Sequence, residues 1–245
     1  MTILVSFAHP DDECFFLAGT IRKYAEAGHR IVLVSATSGE AGTVGDPPLC
    51  SREELGRVRD GELKAAAALL GIAELHLLGY PDRGLAGVQP AEIREKLVAL
   101  LRRYRPSVVV GFDPNGVNAH PDHIASGRFT TDAVVAAADP RWHPEHGGAH
   151  QPARVVWTTP VRPYFMGTTE NLAEHPGIDF LFDVRPWVRA KAEALLAHAT
   201  QRKSVNRHFF DNEDWERRMS VEALRLAGGR APARRPARDL FEDLV

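Results

Sequence analysis

The run Ile3-Leu4-Val5-Ser6-Phe7 is almost wholly apolar and stops abruptly at a charged turn, Ala8-His9-Pro10-Asp11-Asp12-Glu13. A short apolar run bounded by a polar turn predicts a buried strand. Cys14-Phe15-Phe16-Leu17-Ala18-Gly19-Thr20-Ile21 then resumes an apolar pattern that suits a helix reaching to about residue 28. The same alternation recurs along the chain. Residues 30–37 read as a second strand, and 51–70 as a helix with Ser51 as N-cap, Glu54 completing a capping box and Gly71 as the stop. A short strand is expected at 74–78, a helix at 90–103, and at 107–112 a run of valines that is the most strand-like in the chain. A further strand at 154–159 and a helix at 187–201 follow. Strands alternating with helices predict an α/β fold with a mostly parallel sheet and right-handed crossovers.

Other segments break the pattern. Residues 38–50 form a loop with Gly45 and Pro47-Pro48 as breakers. Residues 139–151 are irregular and carry His143, His146 and His150, which read as a solvated loop rather than as ligands. From 227 to 238 the chain has no apolar periodicity, which predicts a mobile arm ahead of Leu240-Phe241, a pair able to dock back. One domain over 1–226 with a C-terminal arm over 227–245 is therefore expected.

Composition adds constraints. At 245 residues and 44% hydrophobic, the chain can bury one large core. Thirty basic residues against 32 acidic give a formal charge of -2, with no general pull toward nucleic acid or membrane. Two cysteines, Cys14 and Cys50, without a secretory leader argue against a disulfide framework, and Cys14 sits where a small core residue belongs. Residues 1–7 are too short and uncharged for a signal peptide, so a soluble cytoplasmic protein is expected.

The chemistry gathers at two strand ends. The first holds one imidazole and three carboxylates within five positions, and the strand at 107–112 ends in Asp113-Pro114-Asn115-Gly116-Val117-Asn118-Ala119-His120-Pro121-Asp122-His123. If the two strands are neighbours, their side chains converge on one crevice, where open α/β sheets bind ligands. His9, Asp12 and His123 would then supply two imidazoles and one carboxylate, the ligand count of a catalytic zinc. Iron, cobalt or nickel fit the same donors. Either motif alone also reads as a turn whose Asp caps the next helix. Finding both after buried-strand patterns favours the metal.

The chain resembles the PIG-L/LmbE-like family of zinc-dependent N-deacetylases, N-acetylglucosaminyl type. Residues 8–13 and His120-Pro121-Asp122-His123 are similar to its two principal motifs. Thr37-Ser38-Gly39-Glu40-Ala41-Gly42, Arg59-Asp60-Gly61-Glu62, Pro81-Asp82-Arg83-Gly84-Leu85 and the helix from Lys191 through His198 to Gln201 resemble further family segments. The resemblance implies a Rossmann-like three-layer α/β sandwich and one Zn2+ per chain held by His9, Asp12 and His123. It also implies Asp11 as general base and His120 as acid or electrostatic stabiliser. Arg59 resembles a substrate-cleft arginine, against the alternative of a surface ion pair with Glu62, and Arg154 resembles a pocket arginine. Glu13 reads as a helix cap, while Asp122 and Asp113 both qualify to orient an imidazole. The implied substrate is a small acetylated amino sugar or its conjugate, and a homo-oligomer is compatible with the sequence. Competing readings are an amidase of a thiol-sugar conjugate, a metal phosphoesterase and a nucleotide-binding module. The last lacks Gly-x-Gly-x-x-Gly after the first strand and a Walker lysine.

Overall fold

The computed structural model describes residues 1–159 and 172–244. It opens with β1 (Thr2–Phe7), α1 (Asp12–Phe16), α2 (Ala18–Glu26) and β2 (Arg30–Thr37). The helix expected after the first turn is therefore two helices, broken at Leu17, where φ is -145°. Packing causes the break. Gly19 lies so close to Val184 that a Cβ there would fall 2.5 Å from the valine Cβ. The freed N–H groups of Gly19 and Thr20 donate to the Glu222 carboxylate at 3.0 and 2.8 Å. That buried carboxylate caps α2 and pairs with Lys191 at 2.7 Å.

α3 (Leu55–Leu70), β3 (Glu74–Tyr80), α4 (Pro90–Tyr104) and β4 (Val108–Gly111) continue the alternation. The capping box forms, with Ser51 and Glu54 exchanging backbone-to-side-chain bonds of 3.2 and 3.3 Å, but regular helix begins only at Leu55. The one-turn α5 (Gly116–Ala119) leads into α6 (Pro121–Ala138), and β5 (Arg154–Thr158), β6 (Phe180–Asp183), α7 (Val188–Ala197) and β7 (Val221–Gly229) complete the main elements.

The seven strands form one sheet in the order β3-β2-β1-β4-β5-β7-β6. The first five are parallel, and β7 runs antiparallel to both its neighbours. α2, α3 and α7 pack together in one layer and α4 with α6 in another, giving the expected three-layer α/β architecture. Helices on both faces bury the central strands on both sides, which is why they read as continuous apolar runs.

The boundary expected at residue 226 falls inside β7, and Ala227–Gly229 complete that strand rather than start an arm. Beyond it, the Leu181 N–H donates to the Ala237 carbonyl at 3.0 Å, and Leu240 and Phe241 are buried. Leu240 and Phe241 thus pack on the body, and the segment before them is tied to it at Ala237. No helix among the described residues is long and apolar enough to cross a membrane.

Candidate active site

β1 lies between β2 and β4, so the chain winds outward from it in both directions. A crevice opens at such a reversal, beyond the carboxyl ends of the strands. β1 pairs directly with β4, with Ile3 opposite Val108 and Val5 opposite Val110. The two His-Pro-Asp turns are thereby brought together. The first turn is anchored by Thr37, whose N–H and hydroxyl both donate to the Ala8 carbonyl at 2.9 Å.

His9, Asp12 and His123 are all buried. His9 Nδ1 lies 3.2 Å from His123 Nε2 and 3.5 Å from Asp12 Oδ2, and His123 Nε2 lies 3.3 Å from Asp12 Oδ1. Tetrahedral ligands at about 2.0–2.1 Å from a metal stand roughly 3.3–3.4 Å apart, and the two imidazole nitrogens, with one Asp12 oxygen facing each, stand at about that spacing. Each imidazole is oriented through its other nitrogen. His9 Nε2 faces Asp82 Oδ1 at 3.2 Å and Asp122 Oδ2 at 3.3 Å, and His123 Nδ1 meets the Gly116 carbonyl at 3.1 Å. These outer contacts fix the ring that presents a donor inward. Burial lowers the His9 pKa, but Asp12, Asp122 and Asp82 overcome it and push the imidazole up to about 12. Burial likewise opposes ionisation of Asp12, yet His123 and His9 hold its carboxyl well below the usual range. The donor set is short of positive charge, and a divalent cation meets that need.

Of the two candidate aspartates, Asp122 orients an imidazole, that of His9, and neither carboxylate contacts His120. Asp122 accepts from the backbone N–H groups of Arg83 at 2.6 Å and Leu85 at 3.1 Å while holding His9. Asp113 accepts from the Asn115 and Val117 N–H groups at 3.2 and 2.6 Å and shapes the loop. His120 is instead set by its Nδ1, which accepts from the Asp122 N–H at 3.2 Å. Burial, then the neighbouring His9 and His123, lower its pKa.

Asp11 adopts φ 110°, a left-handed conformation that costs a non-glycine residue free energy. Glu13 holds it there, its Oε2 accepting from the Asp11 N–H at 3.1 Å. The Asp11 carboxyl is pushed up to about 6, chiefly by burial, against the pull of Arg59 and with support from Asp12. Arg59 is buried, with Nη2 3.1 Å from Asp11 Oδ2 and further donations to Pro10 and, at 2.7 Å, to Gly39. The surface pairing with Glu62 is absent. Glu62 accepts instead from the Thr200 N–H and hydroxyl, both at 2.7 Å. Gly39 makes room for the guanidinium, since a Cβ there would fall 2.0 Å from Arg59 Nη1.

Arg59 lines the cleft with Asp11 and His120; Arg154 does not. Fully buried, Arg154 donates to the carbonyls of Arg230 at 2.8 Å, Leu240 at 2.6 Å and Glu242 at 3.0 Å. Its role is to tie down the C-terminal segment, which corrects the pocket reading. His143, His146 and His150 also lie off the cleft, with His150 Nε2 held at 2.9 Å from the Pro106 carbonyl. Both cysteines are free, and Cys14 is buried.

Behind the cleft, Glu13, read as a cap, also holds buried His198 at 2.9 Å, so one carboxylate joins α1 to the residue following α7. Several residues that line the cleft carried no role in the sequence reading. Asp82 and Gln201 occur in segments resembling the family, which was the available signal. Ser204 and His208 also line the cleft but had no such signal.

Residues 4–134 match the family described as PIG-L: GlcNAc-PI de-N-acetylase. The chain belongs to the PIG-L family. A PIG-L relative from Geodermatophilus obscurus, a 1D-myo-inositol 2-acetamido-2-deoxy-alpha-D-glucopyranoside deacetylase, is 35% identical over 93% of this chain and 92% of its own. A probable N-acetyl-alpha-D-glucosaminyl L-malate deacetylase 2 of Bacillus anthracis is 33% identical over 81% of this chain and 80% of its own. The N,N'-diacetylchitobiose deacetylase of Pyrococcus horikoshii shares the fold, with a TM-score of 0.72 at 21% identity over 92% of this chain and 83% of that one. This PIG-L protein is an N-deacetylase, an amide hydrolase.

Proposed function

We propose that the protein removes the acetyl group from an N-acetylglucosamine-type sugar conjugate, with Zn2+ held by His9, Asp12 and His123. The observation that carries this reading is the buried donor triangle with an unligated carboxylate, Asp11, beside it. When bound, the metal acts as a Lewis acid on the amide carbonyl and makes water easier to deprotonate.

Asp11 takes the proton of the attacking water, with a pKa near neutrality that suits a general base. Arg59 and Glu13 hold Asp11 in place from its two ends. Because His120 Nδ1 is occupied as an acceptor, its ring proton sits on Nε2, which can donate to the oxyanion of the tetrahedral intermediate. Collapse breaks the C–N bond, and Asp11 returns its proton to the departing amine. Acetate and a free amino sugar result.

Support for the substrate class comes from the two relatives above, whose names share the acetylated glucosaminyl unit and differ in inositol or malate. Phe15 and Phe16 line the cleft and offer apolar faces to a sugar ring. The test is amine release from N-acetylglucosaminyl inositol and malate by metal-stripped and Zn2+-reloaded protein. Release by the reloaded form alone is expected. Full metal occupancy without release from either conjugate would overturn the proposal, and phosphate-ester hydrolysis in its place would favour a phosphoesterase.

A further inference from the structure

We propose that Glu95, His143, Glu145 and His146 form a second divalent-metal site, separate from the catalytic cleft, which straps the loop after α6 to α4. The four side chains can each offer one donor atom such that all lie within 4.8 Å of one another. Glu95 comes from α4, and the other three from a single turn around Pro144–His146. His146 Nε2 stands 3.2 Å from Glu95 Oε1 and 3.7 Å from Glu145 Oε1, and His143 Nδ1 stands 3.4 Å from Glu145 Oε1. The 3.2 and 3.4 Å separations are close to the roughly 3.3–3.4 Å ligand spacing of a tetrahedral zinc, and the 3.7 Å one is too long for a hydrogen bond and would close slightly around an ion.

His146 Nε2 already faces the Glu95 carboxylate at 3.2 Å, whereas one nitrogen of His143 is unpartnered. His143 Nε2 is buried without a hydrogen-bond partner, and Nδ1 has only the long approach to Glu145. His150, by contrast, is spent on a backbone carbonyl at 2.9 Å and stays outside the cluster. The turn is held in place by buried Arg102, which donates to the carbonyls of His143 at 2.5 Å and Asp139 at 2.9 Å. This framework fixes the main chain that carries three of the four ligands. Arg94, next to Glu95, is turned away to Asp132 at 2.6 Å and the Trp142 ring, so it does not neutralise the cluster. Two neutral imidazoles and two carboxylates match the donors of Zn2+, Co2+ or Ni2+. None of the four residues lines the cleft.

The experiment is titration of the full metal-stripped chain with Zn2+ alone, repeated with Co2+ and read by visible absorption. Wild type, His143→Ala/His146→Ala and His9→Ala/His123→Ala are compared. About two ions per wild-type chain and about one in each double variant are expected, with the tetrahedral cobalt signature reduced in both. Glu95→Gln, which leaves the turn intact, should weaken only the second binding event. A wild-type chain that takes one ion and loses it in His9→Ala/His123→Ala overturns the second site. So does a His143→Ala/His146→Ala chain that still takes two. If the catalytic variant keeps both ions, the catalytic ligand assignment fails while this site can still be judged from the other variant.

Discussion

Replacing Asp11 by Asn tests the division of labour between two adjacent carboxylates. The side chain keeps its shape, and the main-chain bond from Asp11 to Glu13 is untouched because it uses the backbone N–H. What is lost is a proton acceptor 3.1 Å from Arg59, beside but outside the donor triangle. A positioned general base is worth about 10²–10⁴ in rate, or roughly 3–5 kcal/mol of barrier. Because the loss falls on the transition state, kcat should drop by that factor while KM changes little. The assay is amine release over a range of substrate concentration, run with metal analysis of the same preparation. Asp11→Asn should retain its metal. Asp12→Asn should lose metal and rate together, since Asp12 closes the triangle with both imidazoles. An empty site in Asp11→Asn and a filled one in Asp12→Asn would mean the roles are reversed. Near-normal turnover in metal-loaded Asp11→Asn would refute the base assignment and point to His120.

Further outcomes follow from the same geometry. The Asp11 carboxyl, raised to about 6, must be ionised to act, so kcat/KM should be full above that pH and fall about tenfold per unit below it. A profile flat through that region would exclude Asp11 as the titrating base. Gly39→Ala places a Cβ 2.0 Å from Arg59 Nη1 at a backbone φ of +64°, and about 1–3 kcal/mol of strain should lower both melting temperature and kcat. A variant as stable and active as wild type would show that Arg59 is not confined there. Arg154→Met leaves three carbonyls without their charged donor and should cost on the order of 3–5 kcal/mol in urea denaturation, with kcat/KM of the folded enzyme unchanged. Unchanged stability with a raised KM would restore Arg154 to the pocket.

The half of the fold that brings His9, Asp12 and His123 together was legible because its signals are local. β1 and β4 are buried on both faces, so they appear as unbroken apolar runs, and each ends where its ligands begin. Their adjacency follows from the winding of a parallel sheet. The other end of the sheet was opaque. Phe180-Leu181-Phe182 is only three apolar residues long, and β7 contains Arg225 and ends in Gly228-Gly229, a composition that reads as loop. Arg154 was misplaced because its resemblance to a pocket arginine says nothing of where the side chain ends. Its carbonyl partners lie 76 to 88 positions away, and nothing local announces them. The Glu13–His198 pair, 185 positions apart, is invisible for the same reason.

The placement of β7 bears on when the enzyme can mature on the ribosome. Residues 1–138 contain β1 to β4, both His-Pro-Asp turns and Arg59, so His9, Asp12 and His123 can come together early in synthesis. β6, however, is translated before β7 and, among the described residues, meets the sheet through it, because β7 occupies the interior position between β5 and β6. Until about residue 229 has left the exit tunnel, β5 presents an open edge and β6 has no sheet neighbour. A nascent chain paused in this interval would expose unpaired strand to aggregation. Slow translation beyond β6 is therefore where yield would be lost, even though His9, Asp12 and His123 have already been made.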